Sequence, residues 1–181
     1  MSASARPTVG AIDLARRLPA LVPDLPGMAM GAVNLVLRKP DSKGSVGLVF
    51  QQAAHRHPER PFVRFEGNSI GYGEANETVN RYAAVLTEHG VVRGDVVGVL
   101  MKNRPENLFL VLAIAKLGAT AGLLNHNQRG DVLVHSLGLL DARVLVVGDE
   151  CQEAIDSLDG APKAATVLTA DDLESQAASA S

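Results

Sequence analysis

Four short apolar runs, separated by helical segments, constrain the fold of this chain more than any other feature. The runs are GDVVGVLM at 94–101, ATAGLLN at 119–125, RVLVVG at 143–148 and ATVLT at 165–169. Short apolar runs that do not alternate with polar residues are typical of strands covered on both faces. The sequence between them predicts three helices, at 105–118, 131–140 and 150–158. Because crossovers between parallel strands are right-handed, this alternation predicts the α/β class, a partial parallel sheet with helices on both faces.

A helix, a hairpin and a second helix are predicted before the sheet. Ser45 can cap a helix that ends at His57, because the following proline disfavours helix in the residue before it. The stretch FVRFEGNSIGY at 62–72 alternates apolar and polar residues on both sides of a turn and predicts a small β-hairpin. Residues 74–89 carry apolar side chains at helical spacing and are followed by Gly90, which suits a helix end.

The two ends of the chain are predicted to lie outside this domain of residues 45–170. Residues 1–44 are broken by prolines and predict a helical leader, and 171–181, DDLESQAASAS, predict a linker or tail of small and polar residues. Basic residues flank the apolar parts of 8–40, a pattern that suits peripheral contact with an acidic membrane surface. The favoured interpretation is that the leader packs on the domain or stays mobile.

Charge and cysteine content exclude several classes of function. The 17 Lys and Arg against 20 Asp and Glu give a formal charge of −3, without a basic stripe, so no nucleic-acid partner is expected. The single Cys151 excludes an internal disulfide and a cysteine-built metal site. It is expected to act as a small apolar filler, and its isolation predicts a reducing, cytoplasmic location. The beginning of the chain lacks the pattern of a secretory signal.

The motifs that usually carry phosphate or nucleophile chemistry are not found in the sequence. Neither GxGxxG nor GxxxxGK[ST] occurs, so a dinucleotide or Walker-type site is not expected. No GxSxG elbow occurs, and Ser136 and Cys151 fall within predicted helices, so no nucleophile is predicted. His126 and His135 are nine residues apart without a third ligand in register, so no metal site is predicted.

The polar loops that follow the strands are the remaining candidates, because ligands gather beyond the carboxyl ends of parallel strands. In the loop of LLNHNQRG, Asn125 and Asn127 can satisfy free backbone groups, and Arg129 precedes Asp131, a predicted helix cap. For this loop the structural interpretation is favoured over a catalytic one. Arg104 can serve an anionic ligand or pair with Glu106, and the ion pair is the favoured interpretation.

Residues 45–150 strongly resemble the front of the adenylate-forming acyl-CoA synthetases, from YGEANETVNRYAAVLTEHG at 72 through MKNRPENLFLVLAIAKLGATAG to RVLVV. The stretch LLNHNQRGDVLVHSL is similar to the fatty-acid transport protein and very-long-chain fatty-acid CoA ligase branch. The resemblance implies that 45–170 is the N-terminal subdomain of the large, AMP-binding domain. It also implies a reaction in which ATP and magnesium activate a fatty acid as acyl-AMP, from which the acyl group passes to CoA. Asn125, Asn127 and Arg129 would then be candidates for the wall of the acyl site.

The sequence departs from this family where the chemistry is concerned. The family's Ser/Thr/Gly-rich phosphate loop, magnesium-binding glutamate, ribose-binding aspartate and catalytic lysine belong downstream of a linker, and none of them is found here. No catalytic, cofactor-binding or metal-binding residue is therefore predicted in this chain. The favoured interpretation is an N-terminal fragment, inactive alone, that needs the remainder of the synthetase on the same or a separate chain. The alternative is a non-catalytic α/β binding or interaction module derived from the same scaffold.

Overall fold

The computed structural model describes residues 45–160, 162 and 164–179, and the predicted leader with its possible membrane segment at 8–40 lies outside the described residues. The first described elements are helix α1 (Val46–Arg56), the antiparallel hairpin β1 (Pro61–Phe65) and β2 (Asn68–Gly71), and helix α2 (Tyr72–Glu88). Ser45 caps α1 as predicted, because its hydroxyl accepts a hydrogen bond from the Leu48 N–H at 3.1 Å. Within the described part of the chain, no helix is both long and apolar enough to span a bilayer.

Strands and helices then alternate to the end of the described chain. They are β3 (Val96–Leu100), α3 (Pro105–Leu117), β4 (Thr120–Leu123), α4 (Gly130–Leu140), β5 (Ala142–Val147), a 3₁₀ turn (Asp149–Cys151), α5 (Gln152–Asp156), β6 (Ala164–Thr169) and α6 (Ala170–Ser179). Helix α3 begins at Pro105 and is capped at its C-terminus by Gly118, whose φ of 73° places it in the left-handed region that favours glycine. The N-cap of α4 is Arg129, so the prediction that Asp131 caps this helix is wrong and Asp131 lies in its first turn.

The four later strands form one parallel sheet in the order β4-β3-β5-β6. This arrangement confirms the predicted α/β class. The chain runs from β3 outward to β4 and then crosses back to β5 on the other side of β3. The strand order therefore reverses between β3 and β5, at the centre of the sheet.

Helices cover both faces of this sheet because its central strands are apolar on both sides. On one face, a cluster built from α1, α2, α3 and α6 packs against Val97, Val99, Val144 and Val146. On the opposite face, Leu100, Leu145 and Val147 pack against α4 and α5 together with Cys151. The Cys151 side chain is fully buried, as its predicted role as an apolar filler requires, and burial raises the pKa of its thiol.

Two predictions about individual elements are wrong. Within the described ranges, strand β4 is not covered on both faces, because it lies at the edge of the sheet, and its Leu123 is 64% exposed. Most of 171–181 is not a linker, since α6 extends to Ser179 and buries Leu173 and Ala177 in the core. Small residues suffice for this packing because α6 lies close to α2, where the His89 Nε2 atom and Gln176 Oε1 are 2.9 Å apart.

Candidate functional site

The reversal of strand order between β3 and β5 defines the first candidate position for a ligand. The loop after β3, residues 101–104, leads to α3 on one face of the sheet, and the loop after β5 leads to α5 on the other. The two loops therefore diverge beyond the carboxyl ends of neighbouring strands. Crevices of this kind are the usual ligand sites of open parallel sheets.

Arg104 lies in this crevice among three carboxylates. Its Nε is 3.5 Å from Glu106 Oε2, its Nη1 is 3.8 Å from Glu150 Oε2, and its Nη2 is 4.0 Å from Asp149 Oδ2. The predicted ion pair with Glu106 is confirmed, and two acidic residues from the loop after β5 join it. Three carboxylates around one guanidinium make this position unfavourable for an anionic ligand.

Glu150 also occupies a backbone N–H donor of the loop after β3. Its Oε1 accepts the Lys102 N–H at 2.6 Å, and the carboxylate lies over Gly148, where an added Cβ would be 2.6 Å from the same oxygen. Burial raises the pKa of Glu150, but hydrogen bonds from the backbone N–H groups of Lys102 and Glu150, together with the charges of Arg104 and Lys102, outweigh burial and lower the pKa below its ordinary value. The crevice therefore does not fit the triphosphate of ATP.

The loop of LLNHNQRG beyond β4 folds onto itself. Asn125 Oδ1 accepts the Asn127 N–H at 3.0 Å, and the Arg129 guanidinium donates to the carbonyl oxygens of His126 and Gln128, both at 2.8 Å. Asn125, Asn127 and Arg129 are all exposed. These contacts support the structural interpretation of the loop. A role of the three side chains in the wall of a substrate pocket stays a prediction.

An apolar groove of about 430 Å³ lies beside β4, on the face of the sheet that carries the hairpin and α3. Its apolar lining comes from Val63 and Phe65 of β1, Pro105, Leu108 and Val111 of α3, and Leu123 of β4. Asn103, Arg104 and Asn107 also line it. Asn107 is held in place because its Nδ2 donates to the carbonyl oxygens of Met101 and Lys102, at 3.3 and 3.2 Å. Asn125, Asn127 and Arg129 do not line this groove.

The sequence did not reveal this groove because its lining combines β1 with α3 and β4, which lie far from β1 in the chain. The sequence does contain one signal for the groove, the apolar character of β4, but this strand was predicted to be covered on both faces of the sheet. In the fold, Leu123 is 64% exposed, Leu108 is 41% exposed and Phe65 is 39% exposed. An apolar surface of this kind is typical of a site that another molecule or another part of the polypeptide covers.

A second cavity, of about 550 Å³, lies between α2, α3 and α6 and has an acidic lining. Glu74, Glu106 and Glu174 line it together with Arg81 and Tyr82. Burial and the charge of Glu106 raise the pKa of Glu174. Burial and the nearby charges of Glu174 and Glu106 raise the pKa of Tyr82 far above its ordinary range, so its hydroxyl stays protonated.

Comparison with known proteins relates the fold to a family. Residues 50–181 match the sequence model of the family described as AMP-binding enzyme. The chain is 46% identical over 173 residues to the medium/long-chain-fatty-acid–CoA ligase FadD6 of Mycobacterium tuberculosis, an alignment that covers 94% of this chain and 29% of that protein. It is 32% identical over 111 residues to long-chain fatty acid transport protein 2 of Rattus norvegicus, covering 61% of this chain and 18% of that protein.

Solved structures show the same relationship. The crystal structure of the N-terminal domain of FACL13 from Mycobacterium tuberculosis superimposes with a TM-score of 0.68 at 28% sequence identity, covering 76% of this chain and 37% of that chain. A Mycobacterium tuberculosis fatty acyl CoA synthetase superimposes with a TM-score of 0.66 at 27% identity, covering 75% of this chain and 28% of that chain. The chain thus spans well under half the length of the relatives it matches.

Proposed function

Because this chain belongs to the AMP-binding enzyme family, we propose that it is the N-terminal part of the adenylate-forming domain of a fatty-acid–CoA ligase. The complete enzyme would convert a medium- or long-chain fatty acid to its CoA thioester through an acyl-AMP intermediate, at the expense of ATP. The observation that carries this proposal is the 46% identity to the ligase FadD6 over 94% of this chain. The similarity to a fatty acid transport protein supports the fatty acid as substrate.

Within that enzyme, this chain supplies scaffold and surface, while the nucleotide, magnesium and CoA bind to the remainder of the synthetase. The support is chemical. A triphosphate needs several backbone N–H donors or cations. In the crevice between β3 and β5, Glu150 already accepts the Lys102 N–H, and three carboxylates surround Arg104. The chain alone is therefore proposed to be inactive. The loop of Asn125, Asn127 and Arg129 is retained as a candidate wall of the acyl site, supported by its place beyond the carboxyl end of β4.

A hybrid protein tests this function directly. Residues 1–181 are joined to the FadD6 residues that follow the segment matched by this chain, and acyl-CoA formation is measured with dodecanoate and hexadecanoate. The hybrid is expected to form both thioesters, since the two N-terminal parts are 46% identical. The control is the FadD6 polypeptide without its matched segment, which should be inactive. A folded hybrid that forms no acyl-AMP, or a control as active as the hybrid, would contradict the proposal.

The basic and apolar pattern of residues 8–40 supports a further, peripheral contact with membranes. Sedimentation with anionic vesicles compares the full chain with a chain that starts at Gly44. Weaker binding of the shorter chain is expected. Equal binding would remove the leader from this role.

A further inference from the structure

The acidic cavity between α2, α3 and α6 contains a buried tyrosine whose hydroxyl has no hydrogen-bond partner among the described residues. Tyr82 is 3% exposed and its ring belongs to the core, yet the residue also lines the cavity. The polar neighbours of Tyr82 bond to each other, because Arg81 Nη2 donates to the Thr78 hydroxyl at 3.1 Å and that hydroxyl donates to the Glu74 carbonyl oxygen at 3.2 Å. A buried tyrosine hydroxyl usually has a partner. The unpartnered hydroxyl therefore indicates that the cavity receives a polar ligand.

The hydroxyl of Tyr82 faces the cavity, because charged groups that act on it lie there. Glu174, Glu106 and Arg81 all influence the pKa of this hydroxyl, and all three line the cavity. Since burial and the two carboxylates keep the hydroxyl protonated, it can both donate and accept a hydrogen bond. A ligand that donates a hydrogen bond is thus met by an oxygen acceptor at the buried end of the cavity.

The charge of the lining requires that this ligand be a cation. Glu74, Glu106 and Glu174 place three carboxylates around the cavity, against the single guanidinium of Arg81. Glu106 is already paired with Arg104, whereas Glu74 and Glu174 form no ion pair within the described ranges. Carboxylates in one cavity repel each other, and a positively charged ligand would relieve that repulsion.

The remaining lining favours an aliphatic amine over a metal ion. Within 45–160, 162 and 164–179, no three carboxylate, imidazole or thiol groups lie close enough together to hold a metal ion. The cavity also has an apolar part, formed by Ile70, Phe109, Ala177 and Ala178. Methylene groups of an aliphatic amine can pack on this part while its ammonium groups donate charge-assisted hydrogen bonds to the carboxylates.

The spacing of the acceptors sets the length of the amine. Glu74 precedes Tyr82 by eight residues on α2, which is about 12 Å along the helix axis. The cavity volume of about 550 Å³ is within the usual range of small-molecule sites. A short amine with one ammonium group could therefore occupy only one end of the cavity, whereas a longer chain with several ammonium groups could reach both.

We propose that this cavity binds a linear aliphatic polyamine, with one ammonium group donating to the Glu174 carboxylate and the Tyr82 hydroxyl and another to the Glu74 carboxylate. The inference goes beyond the proposed function and does not depend on it, because amine binding is assigned to the 181-residue chain itself. Spermidine is the probe, since its terminal nitrogens are separated by a chain of suitable length.

Titration calorimetry of the 181-residue chain with spermidine tests the proposal. Saturable binding of one spermidine per chain is expected at about 0.15 M salt, where weak attraction between exposed charges is largely screened. Tyr82→Phe and Glu174→Gln should each weaken binding about tenfold, because each removes one hydrogen-bond partner of the same ammonium group. Both variants should fold, since the Tyr82 hydroxyl has no partner to lose and Glu174 is exposed.

The controls separate recognition of the amine from general attraction of cations to an acidic surface. Glu88→Gln removes an exposed carboxylate of α2 outside the cavity and should leave the affinity unchanged. Magnesium chloride at equal ionic strength should not displace spermidine, and a linear diol of the same length should not bind. The absence of saturable binding, equal affinities of Glu88→Gln and Glu174→Gln, or displacement by magnesium would overturn the proposal.

Hydrogen exchange gives a second measurement, which locates the amine. A polyamine held by Glu174 of α6 and Glu74 of α2 connects the two helices, so α6 can open only after the amine has left. At a spermidine concentration about 100 times the Kd, the amide hydrogens of Leu173 and Ala177 should exchange about 100-fold more slowly. In Glu174→Gln, the same concentration should give about tenfold less protection. Unchanged exchange in α6 at saturating spermidine would overturn the proposal.

Discussion

At the scale of single residues, the cluster around Arg104 shows both what the sequence predicts and what only the fold reveals. The pairing of Arg104 with Glu106 is predictable, because the two residues are close in the chain at the start of α3. The contribution of Asp149 and Glu150 is not, because they follow β5, which becomes the neighbour of β3 only when β4 is placed on the other side. Glu150 thereby connects the loop after β5 to the loop after β3, where the strand order reverses.

The lowered pKa of Glu150 gives a pH-dependent prediction. A carboxylate with a lowered folded-state pKa stabilises the fold above its unfolded-state pKa, and this stabilisation is lost as the pH falls through the folded-state pKa. Allowing for solvent screening of these partly exposed charges, Glu150→Gln should reduce the free energy of unfolding by about 1 kcal/mol at neutral pH. The difference should diminish below the ordinary glutamate pKa of about 4.3 and disappear at stronger acidity. Urea unfolding at several pH values measures it.

Glu153→Gln is the control for this measurement. Glu153 is exposed on the neighbouring helix α5, and removing its charge should leave the free energy of unfolding almost unchanged at every pH. If Glu150→Gln and Glu153→Gln behave alike at neutral pH, the carboxylate of Glu150 does not hold the two loops together.

At the scale of elements, close packing between helices depends on one glycine. A Cβ at Gly47 in α1 would lie 2.9 Å from the Lys116 backbone nitrogen in α3, and backbone atoms cannot move aside as a side chain can. Gly47→Ala should therefore force the helices apart and destabilise the fold by about 1–3 kcal/mol. Thermal and urea unfolding would measure the change.

Gly138 in α4 provides the opposite case for comparison. A Cβ there would meet no atom within 4 Å, so Gly138→Ala should stabilise the fold by roughly 0.5–1 kcal/mol through helix propensity alone. Equal effects of the two substitutions would show that the contact between α1 and α3 is looser than described.

Helix α6 was not predicted, because the composition of residues 171–181 is typical of a linker. Its sequence of small and polar residues predicted a linker, whereas Leu173 and Ala177, four residues apart, are enough to bury one side of a helix. A local signal was present. Thr169 and Asp172 form a capping box, in which the Asp172 N–H donates to the Thr169 hydroxyl at 3.0 Å and the Thr169 N–H donates to the Asp172 carboxylate at 3.2 Å. The hydrogen bond from the Thr169 side chain lowers the pKa of Asp172.

Substitutions within α6 test whether it belongs to the folded domain. Leu173 is 1% exposed, so Leu173→Ala should destabilise the domain by about 2–4 kcal/mol through the cavity it leaves. Ser175→Ala, at an exposed position of the same helix, should have almost no effect. Chemical unfolding compares the two variants. If Leu173→Ala left the free energy of unfolding unchanged, residues 171–181 would be a linker and not part of the folded domain.

At the scale of the whole molecule, the α/β class followed from the sequence because buried parallel strands and their connecting helices differ in length and apolar pattern. The strand order did not follow, because the same alternation of elements suits several orders. That order determines which strand becomes the edge, and it leaves Leu123 exposed although β4 is as apolar as a central strand. The apolar groove and the acidic cluster around Arg104 both depend on the strand order, so neither could be predicted from the sequence.

Our central proposal is that this chain is part of a fatty-acid–CoA ligase and that its described residues, 45–160, 162 and 164–179, offer no site for a triphosphate. Fatty-acid-dependent exchange of pyrophosphate into ATP tests this claim most directly, because it detects acyl-AMP formation without the later transfer to CoA. The 181-residue chain is predicted to show no exchange above background, whereas its hybrid with FadD6 should exchange readily. Exchange by the 181-residue chain alone, dependent on added fatty acid, would contradict the account.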